Sequence, residues 1–370
     1  MKMLYILNMA NRVNNFSYTS MLAAKKLGIE FHIAGNWGYK NLDEKKQDED
    51  KYGIYIHQID FMRNPLGYKN FKAYKQLDTL VKKEGFDVIH CNTPIGGLLG
   101  RICAKRNGVK KVIYTAHGFH FYKGAPLLNW LVYYPVEKIC SYFTDVLITI
   151  NHEDYELAKK KMRAADTEYI PGVGIDTKKF QSAEIDKDKK RKEVGVADGD
   201  IVLLSVGELN SNKNHEVIVK AVSELHNPKI HYFIAGQGEK KLYLSDLAEK
   251  LNVNLHLLGY RTDIAELCGM SDIFCFSSYR EGLPVSLMEA MAAGLPVVCS
   301  KIRGNTDLID SDGGELFDPR SAGDCSRALQ KAISRDWNKM GEYNKQKVKE
   351  FGYDRVSEKM YKIYKDALQR

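Results

Sequence analysis

The sequence predicts an α/β protein with two open parallel sheets, one in each of two consecutive domains. Short apolar runs alternate with helix-length amphipathic segments from the first residues onward. The alternation starts afresh after a polar stretch at 182–200. Length is the third observation, since 370 residues exceed what most single cores organise.

In the first series the expected strands are Met3 to Leu7, Phe31 to Ala34, Ile54 to His57, Val88 to Cys91, Val112 to Thr115 and Val146 to Ile150. The segments between them are long enough for crossover helices, which makes the sheet parallel. Pro171-Gly172-Val173-Gly174 reads as a hinge, and the charged run Asp186 to Glu193 as the start of the second domain's first helix. The second series runs Ile201 to Val206, Ile230 to Ala235, Asn254 to Leu258, Ile273 to Phe276 and Pro296 to Ser300. The boundary is placed near residue 180, giving domains 1–180 and 181–354. In the final segment, Arg355 to Leu368, residues Val356, Met360, Ile363, Tyr364 and Ala367 stand at helical spacing.

Composition narrows the class. A content of 44% hydrophobic and 28% charged residues is ordinary for a soluble globular protein, and no apolar run approaches the roughly 20 residues needed to span a bilayer. The Met3 to Leu7 run is short, lacks a small-residue cleavage site and ends at Asn8, so it reads as a strand and not a signal peptide, which predicts a cytoplasmic protein. Cysteines 91, 103, 140, 268, 275, 299 and 325 are scattered and mostly in apolar segments, as expected of reduced core thiols.

The net charge of +8 sits entirely in the first half, where residues 1–170 hold 25 Lys and Arg against 17 acids, while residues 171–370 hold 30 of each. Clusters such as Lys69, Lys72, Lys75, Lys82 and Lys83, or Lys105, Arg106, Lys110 and Lys111, or Lys159, Lys160, Lys161 and Arg163, read first as solvated helix faces. The other reading is a surface that meets anionic phospholipid or a lipid diphosphate, placing the protein peripherally at the inner face of the plasma membrane. No recognition module supports nucleic acid. Metal chemistry finds no His-x-x-x-His pair, and Asp310-Ser311-Asp312 reads as a turn cap.

The densest chemistry lies at 280–296. Pro284 suits a first helical position, Gly294 the residue past the end, and Pro296 blocks continuation, so a helix runs from about Pro284 to Ala293. Within it only Ser286 and Glu289 are polar. A carboxylate in so apolar a helix faces either a structural ion pair or a ligand. The amides of Leu283, Val285 and Ser286 form the positive helix end, with Gly282 permitting close approach, which favours an anionic ligand with Glu289 on nearby hydroxyls. Several strands of the second series end in glycine, at Gly207, at Gly236 with Gly238, and at Gly259, which places a crevice at their carboxyl ends. None fits a dinucleotide fingerprint.

Glu281 and Glu289, with seven residues between them around Gly-Leu-Pro, resemble the Glu-x7-Glu motif of retaining glycosyltransferases of family four, and the resemblance extends over nearly the whole chain. It implies the GT-B fold, with two Rossmann-like domains facing a central cleft and a C-terminal helix crossing back to the first domain. It also implies transfer with retention, from a nucleotide-sugar donor such as a UDP-sugar, with no metal and no further cofactor. Lys213 would contact the donor diphosphate, although Glu208 stands where an Arg usually helps. The turn with Tyr260 and Arg261 would hold the base, Glu289 the ribose, and Glu281 would lie near the sugar. His117, next to Gly118 at a strand end, would contact the donor sugar, its bland reading being a satisfied core imidazole.

Similar enzymes carry a glycine-rich loop after the first strand, where this chain has Asn8 to Phe16, with Asn11 or Arg12 facing the cleft. The aromatic and aliphatic run Pro126 to Pro135 reads as a core helix or as a hydrophobic acceptor or membrane-facing surface. The run from His117 to Tyr134 and the segment 207–214 are similar to bacterial capsule and exopolysaccharide transferases, whose acceptors are commonly lipid-diphosphate-linked saccharides. Two other functions remain open, a nucleotide-sugar epimerase and a degenerate non-catalytic nucleotide-binding module.

Overall fold

The apolar runs form strands of two parallel sheets. The computed structural model describes residues 1–10, 12–13, 15–39, 41–62, 67–68, 70–182 and 185–369; Asn11 and Lys69 lie outside them. The chain divides into one unit of Met1–Gly174 with Tyr353–Arg370 and a second of Ile175–Gly352.

The first unit holds β1 (Lys2–Ala10), β2 (Glu30–Trp37), β3 (Tyr55–Gln58), β4 (Val88–Asn92), β5 (Lys111–Ala116), β6 (Val146–Thr149) and β7 (Asp166–Tyr169), in the order β3-β2-β1-β4-β5-β6-β7. The second holds β8 (Ile201–Val206), β9 (Ile230–Ala235), β10 (Asn254–Gly259), β11 (Ile273–Phe276), β12 (Val297–Ser300) and β13 (Gly314–Phe317), ordered β10-β9-β8-β11-β12-β13. Every pairing is parallel. Strand order therefore reverses between β1 and β4 in one sheet and between β8 and β11 in the other, the positions where such sheets open a ligand crevice.

Two edge strands, β7 and β13, add to the expected set. The first reads Asp-Thr-Glu-Tyr and is half-exposed throughout. The second reads Gly-Glu-Leu-Phe, and its buried Glu315 is neutralised by Lys331 and Arg335, each at 2.8 Å. Neither presents an apolar run. All seven cysteines are buried and unpaired. Asp310 accepts from the Tyr343 hydroxyl and pairs with Lys347, both at 2.7 Å, besides capping the Asp312 amide.

The C-terminal helix, Tyr353–Gln369, buries Val356, Met360, Ile363, Tyr364 and Ala367 and packs against the helix Asn15–Lys26 of the first unit. The Tyr364 hydroxyl stands 2.6 Å from His90 Nδ1, while His90 Nε2 stands 2.8 Å from Thr115 Oγ1. Burial pushes the His90 pKa down to about 3, so the imidazole is neutral and its two ring nitrogens are met by hydroxyls.

The helix Leu127–Ser141 departs from the core reading. Trp130, Tyr133 and Tyr134 pack inward, but Leu127, Leu128 and Leu131 are exposed. Beneath it Arg101, 1% exposed, pairs with Glu137 at 2.8 Å, and Glu137 accepts from the Tyr114 hydroxyl.

Replacing Tyr364 with Phe removes a buried partner and leaves His90 Nδ1 unsatisfied. A loss of about 1–3 kcal/mol in denaturant unfolding of the full chain is expected, with little change in m-value.

Candidate functional site

The loops that leave β8 and β11 meet at the switch point of the second sheet. Residues 207–214 follow β8 and residues 277–283 follow β11, and polar groups sew the two together. Tyr279 N donates to Asn212 O at 2.9 Å, Asn212 Nδ2 to Arg280 O at 3.1 Å, and Ser277 Oγ to Lys213 O at 2.8 Å. Asn214, at the N-cap position of the helix His215–Glu224, takes a left-handed conformation at φ 51° and makes no side-chain cap bond; its Nδ2 donates instead to the carbonyls of Ser277 at 3.3 Å and Pro319 at 2.8 Å, which fixes where the helix starts. This stitching brings Lys213 Nζ to 2.8 Å from Glu281 Oε1 and 4.8 Å from the centre of the Phe276 ring.

The helix itself spans Val285–Ala292. Pro284 is its N-cap, with ψ 123°, and not its first helical residue as the sequence suggested. Proline at the cap offers no side-chain acceptor, so the first-turn amides of Val285 and Ser286 are uncapped and keep their positive end for a ligand. Glu289 lies on the next turn. Among the described residues it has no hydrogen-bond or ion-pair partner, and burial raises its pKa from 4.5 to about 7 against a smaller opposing pull from Lys179. Of the two readings of this carboxylate, the structural ion pair is therefore not found among the described residues.

Beside this loop pair lies a pocket of about 780 Å³ at the carboxyl ends of β8, β9 and β10. Gly207, Glu208, Gly236, Tyr260 and Arg261 all line it. Gly236 has a packing reason as well, because a Cβ there would collide with the Gly207 carbonyl. Tyr260 is 74% exposed, an open ring face. Arg261 is engaged by Asp263 in a two-point pair, and Glu208 accepts from Asn210 Nδ2 at 2.9 Å. Leu283 and Pro284 are buried, whereas Gly282 and Ser286 are half-buried.

His117, in the first unit, follows β5 and precedes Gly118, whose φ of 123° suits glycine. Its Nε2 stands 2.9 Å from Asn92 Oδ1, an oxygen that also accepts from the Tyr5 hydroxyl at 3.1 Å. With that oxygen as acceptor the imidazole carries its proton on Nε2, and Nδ1 is left as a buried acceptor with no partner among the described residues. Burial alone pushes the His117 pKa down to about 4, so the ring is neutral near pH 7. Phe16 packs edge-on against it at 5.2 Å. The satisfied-imidazole reading thus fails at one nitrogen. Arg12 is tied to Glu44 and Asp48, each at 3.2 Å.

Sequence reasoning missed Asn212, Asn214, Ser277 and Arg303. The last is 8% exposed and donates to the Glu281 carbonyl at 3.2 Å, fixing the backbone behind that carboxylate. A left-handed Asn before a helix leaves no periodic signal, and Arg303 sits in an ordinary turn. Among the described residues no group of three His, Cys, Asp or Glu side chains could hold a metal ion, and no helix is long and apolar enough to cross a membrane.

Comparison with known proteins places this arrangement. The family description "Glycosyl transferases group 1" fits residues 186–349, and "Glycosyl transferase 4-like" fits residues 7–151. The chain is 36% identical over 354 residues to the putative glycosyltransferase EpsD of Bacillus subtilis (strain 168), covering 92% of this chain and 90% of that one. It is 33% identical over 261 residues to the UDP-Gal:alpha-D-GlcNAc-diphosphoundecaprenol alpha-1,3-galactosyltransferase of Escherichia coli, covering 68% and 67%. In fold it matches Anabaena Alr3699/HepE in complex with UDP-glucose, with a TM-score of 0.80 at 17% identity over 99% of this chain and 100% of that one.

The raised Glu289 pKa sets a pH test on the protein without ligand. A carboxyl that holds its proton up to about 7 when folded, against 4.5 when unfolded, destabilises the fold progressively as pH rises through that window. Glu289→Gln is expected to match the parent in melting temperature at pH 4.5, to gain about 1–3 kcal/mol by pH 8, and to bind nucleotide more weakly at both.

Proposed function

The chain belongs to the group 1 glycosyl transferases, with the GT-B fold and kinship to bacterial exopolysaccharide transferases, and on that premise we propose that it transfers a sugar with retention from a UDP-sugar to a hydroxyl of a lipid-diphosphate-linked saccharide. The product would feed cell-surface polysaccharide synthesis. The observation that carries the donor half is Glu289, a half-buried carboxylate with no partner among the described residues, one turn from an uncapped helix start. A nucleoside diphosphate answers both needs, since ribose hydroxyls would donate to the carboxylate and the diphosphate would take the amides. The open face of Tyr260 suits a base. The lipid-diphosphate acceptor is supported by the Escherichia coli relative, which is named for transfer to alpha-D-GlcNAc-diphosphoundecaprenol.

In this reading the bond from the anomeric carbon to the diphosphate oxygen breaks with positive charge developing on the sugar and negative charge on the leaving group. Lys213 balances the leaving diphosphate, so no metal is assigned. Glu281, held beside Lys213 and backed by Arg303, offers negative charge to the sugar side. The acceptor hydroxyl attacks from the face the diphosphate leaves and passes its proton to the departing phosphate oxygen. The neutral His117, with a bare Nδ1, accepts from a sugar hydroxyl in this scheme.

The test is a set of two measurements on three proteins: thermal stabilisation by UDP, GDP, ADP and dTDP, and transfer to a lipid-linked acceptor with and without EDTA. A selective, EDTA-insensitive shift with UDP is expected, of about 2.7 kcal/mol when ligand is at 100 times its dissociation constant. Lys213→Ala should lose most of that shift and lower kcat by about 10²–10³. Glu281→Gln should keep or strengthen UDP binding, because Lys213 is released from its pair, while kcat still falls. Isomerised nucleotide sugar without acceptor would assign an epimerase instead, and binding without sugar release or transfer a nucleotide-binding module, the reading that Glu208 favours.

A further inference from the structure

His215, the first residue of the helix His215–Glu224, is buried, and its ring joins the loop that carries Glu208 and Lys213 to the sheet. Nε2 stands 3.2 Å from the Glu208 carbonyl oxygen, and Nδ1 stands 3.2 Å from the Tyr232 hydroxyl. Tyr232, fully buried on β9, lies 2.8 Å from Ser205 Oγ on β8. Ser205 Oγ in turn lies 2.6 Å from the Cys275 carbonyl oxygen on β11. A chain of four polar contacts thus runs from the middle of the second sheet to the loop that lines the pocket.

Protons are one short along this chain. Each end is a backbone carbonyl, which only accepts, and the serine and tyrosine hydroxyls bring one proton each. Burial pushes the His215 pKa down to about 4, so near pH 7 the imidazole brings a single proton as well. The distances show where the shortage falls. Contacts of 2.6 and 2.8 Å are ordinary O–H···O bonds, so Ser205 donates to Cys275 and Tyr232 donates to Ser205, whereas both imidazole contacts are long at 3.2 Å. The one imidazole proton is therefore shared between two acceptors, the Tyr232 oxygen and the Glu208 carbonyl. On Nε2 it grips the loop; on Nδ1 it leaves a nitrogen lone pair facing a carbonyl oxygen, and the grip is lost.

What this grip fixes is the path to Lys213. The Glu208 carbonyl also accepts from the Asn210 amide at 3.0 Å, Asn210 Nδ2 donates to the Glu208 carboxylate at 2.9 Å, and Asn210 Oδ1 accepts from the Lys213 amide at 3.0 Å. Toward β9 the loop is tied through backbone, Gly207 N to Ala235 O at 3.0 Å and Leu209 N to Gln237 O at 2.9 Å. We propose that His215 is a positioning residue of the nucleotide site, holding the Glu208 carbonyl through Nε2–H and so setting the loop from which Lys213 reaches the diphosphate, with Tyr232 competing for that proton. The proposal rests on the donor reading for its ligand, while the hold itself stands on the contacts alone. Burial does not by itself call for an imidazole here, since an aromatic ring would fill the same space without a proton to place.

The test makes two measurements near pH 7 on the full chain and three variants: amide hydrogen exchange of residues 207–214 without ligand, and the UDP dissociation constant by calorimetry. In His215→Phe the loop should exchange about tenfold faster and UDP should bind about tenfold more weakly, the effect of losing one hydrogen bond that orders the site. His215→Gln, whose amide nitrogen can reach the place of Nε2, should restore most of both. Tyr232→Phe removes the competitor and commits the proton to Glu208, so the loop should exchange no faster and UDP should bind at least as well, even though the melting temperature falls. A purely structural histidine would give the opposite result, with Tyr232→Phe loosening the loop as much as His215→Phe does, and that outcome overturns the proposal. So does a His215→Phe chain that matches the parent in both measurements, or a His215→Gln chain that rescues neither. A parent that binds no UDP, yet shows this pattern of exchange, would overturn the donor reading and leave the hold on the loop in place.

Discussion

The pairing of β8 with β11 is the constraint from which the second unit's chemistry follows. At that seam the strand order reverses, so the segments after the two strands diverge to opposite sides and leave backbone uncovered at the carboxyl ends. A gap lined by amides and carbonyls cannot be closed with apolar side chains, because each unpaired buried polar group costs about 1–3 kcal/mol. The chain closes it with Asn212, Asn214 and Ser277, short polar groups that satisfy carbonyls across the seam. Lys213 and Glu281 are carried to each other by that stitching, 68 residues apart in sequence.

Glu289 shows the opposite economy. Its neighbours in the helix Val285–Ala292, among them Leu287, Met288 and Met291, are fully buried, and a Gln or Leu in its place would sit there at lower cost. The carboxylate instead has no partner among the described residues, with its charge penalised by burial. Asn92 and His117 repeat this in the first unit, where the buried Asn92 Nδ2 and His117 Nδ1 both lack partners among the described residues. Groups that destabilise the empty protein and recur at strand carboxyl ends are what a binding site is expected to leave behind.

The sequence made the fold legible wherever burial writes a period. The strand runs, the stripe from Val356 to Ala367 and the lone Glu289 of an apolar helix could all be read from spacing. The edge strands β7 and β13 could not, because one is half-exposed and the other neutralises its buried Glu315 with cations from a later helix and its following turn. Pairing of Lys213 with Glu281 and the reach of Arg303 depend on loop conformations set by left-handed Asn214 and by Pro284 as a cap, which carry no periodicity. The family resemblance supplied roles for Lys213 and Glu281, and geometry supplied the reason they are held where they are.

The helix Leu127–Ser141 marks where hydropathy alone misleads. Its sequence is apolar on more than one face, which fits burial equally well from inside or outside the protein. Only the structure shows that the aromatic side, Trp130, Tyr133 and Tyr134, takes the core while the aliphatic side faces out. The charge surplus of residues 1–170, 25 cations to 17 acids, belongs to this same unit, and the second unit carries no matching surplus. A division of labour follows from chemistry already present in each part. The near-neutral unit combines an uncapped helix start with Lys213, positive groups suited to a small anionic ligand. The basic unit carries its exposed leucines together with that surplus of cations.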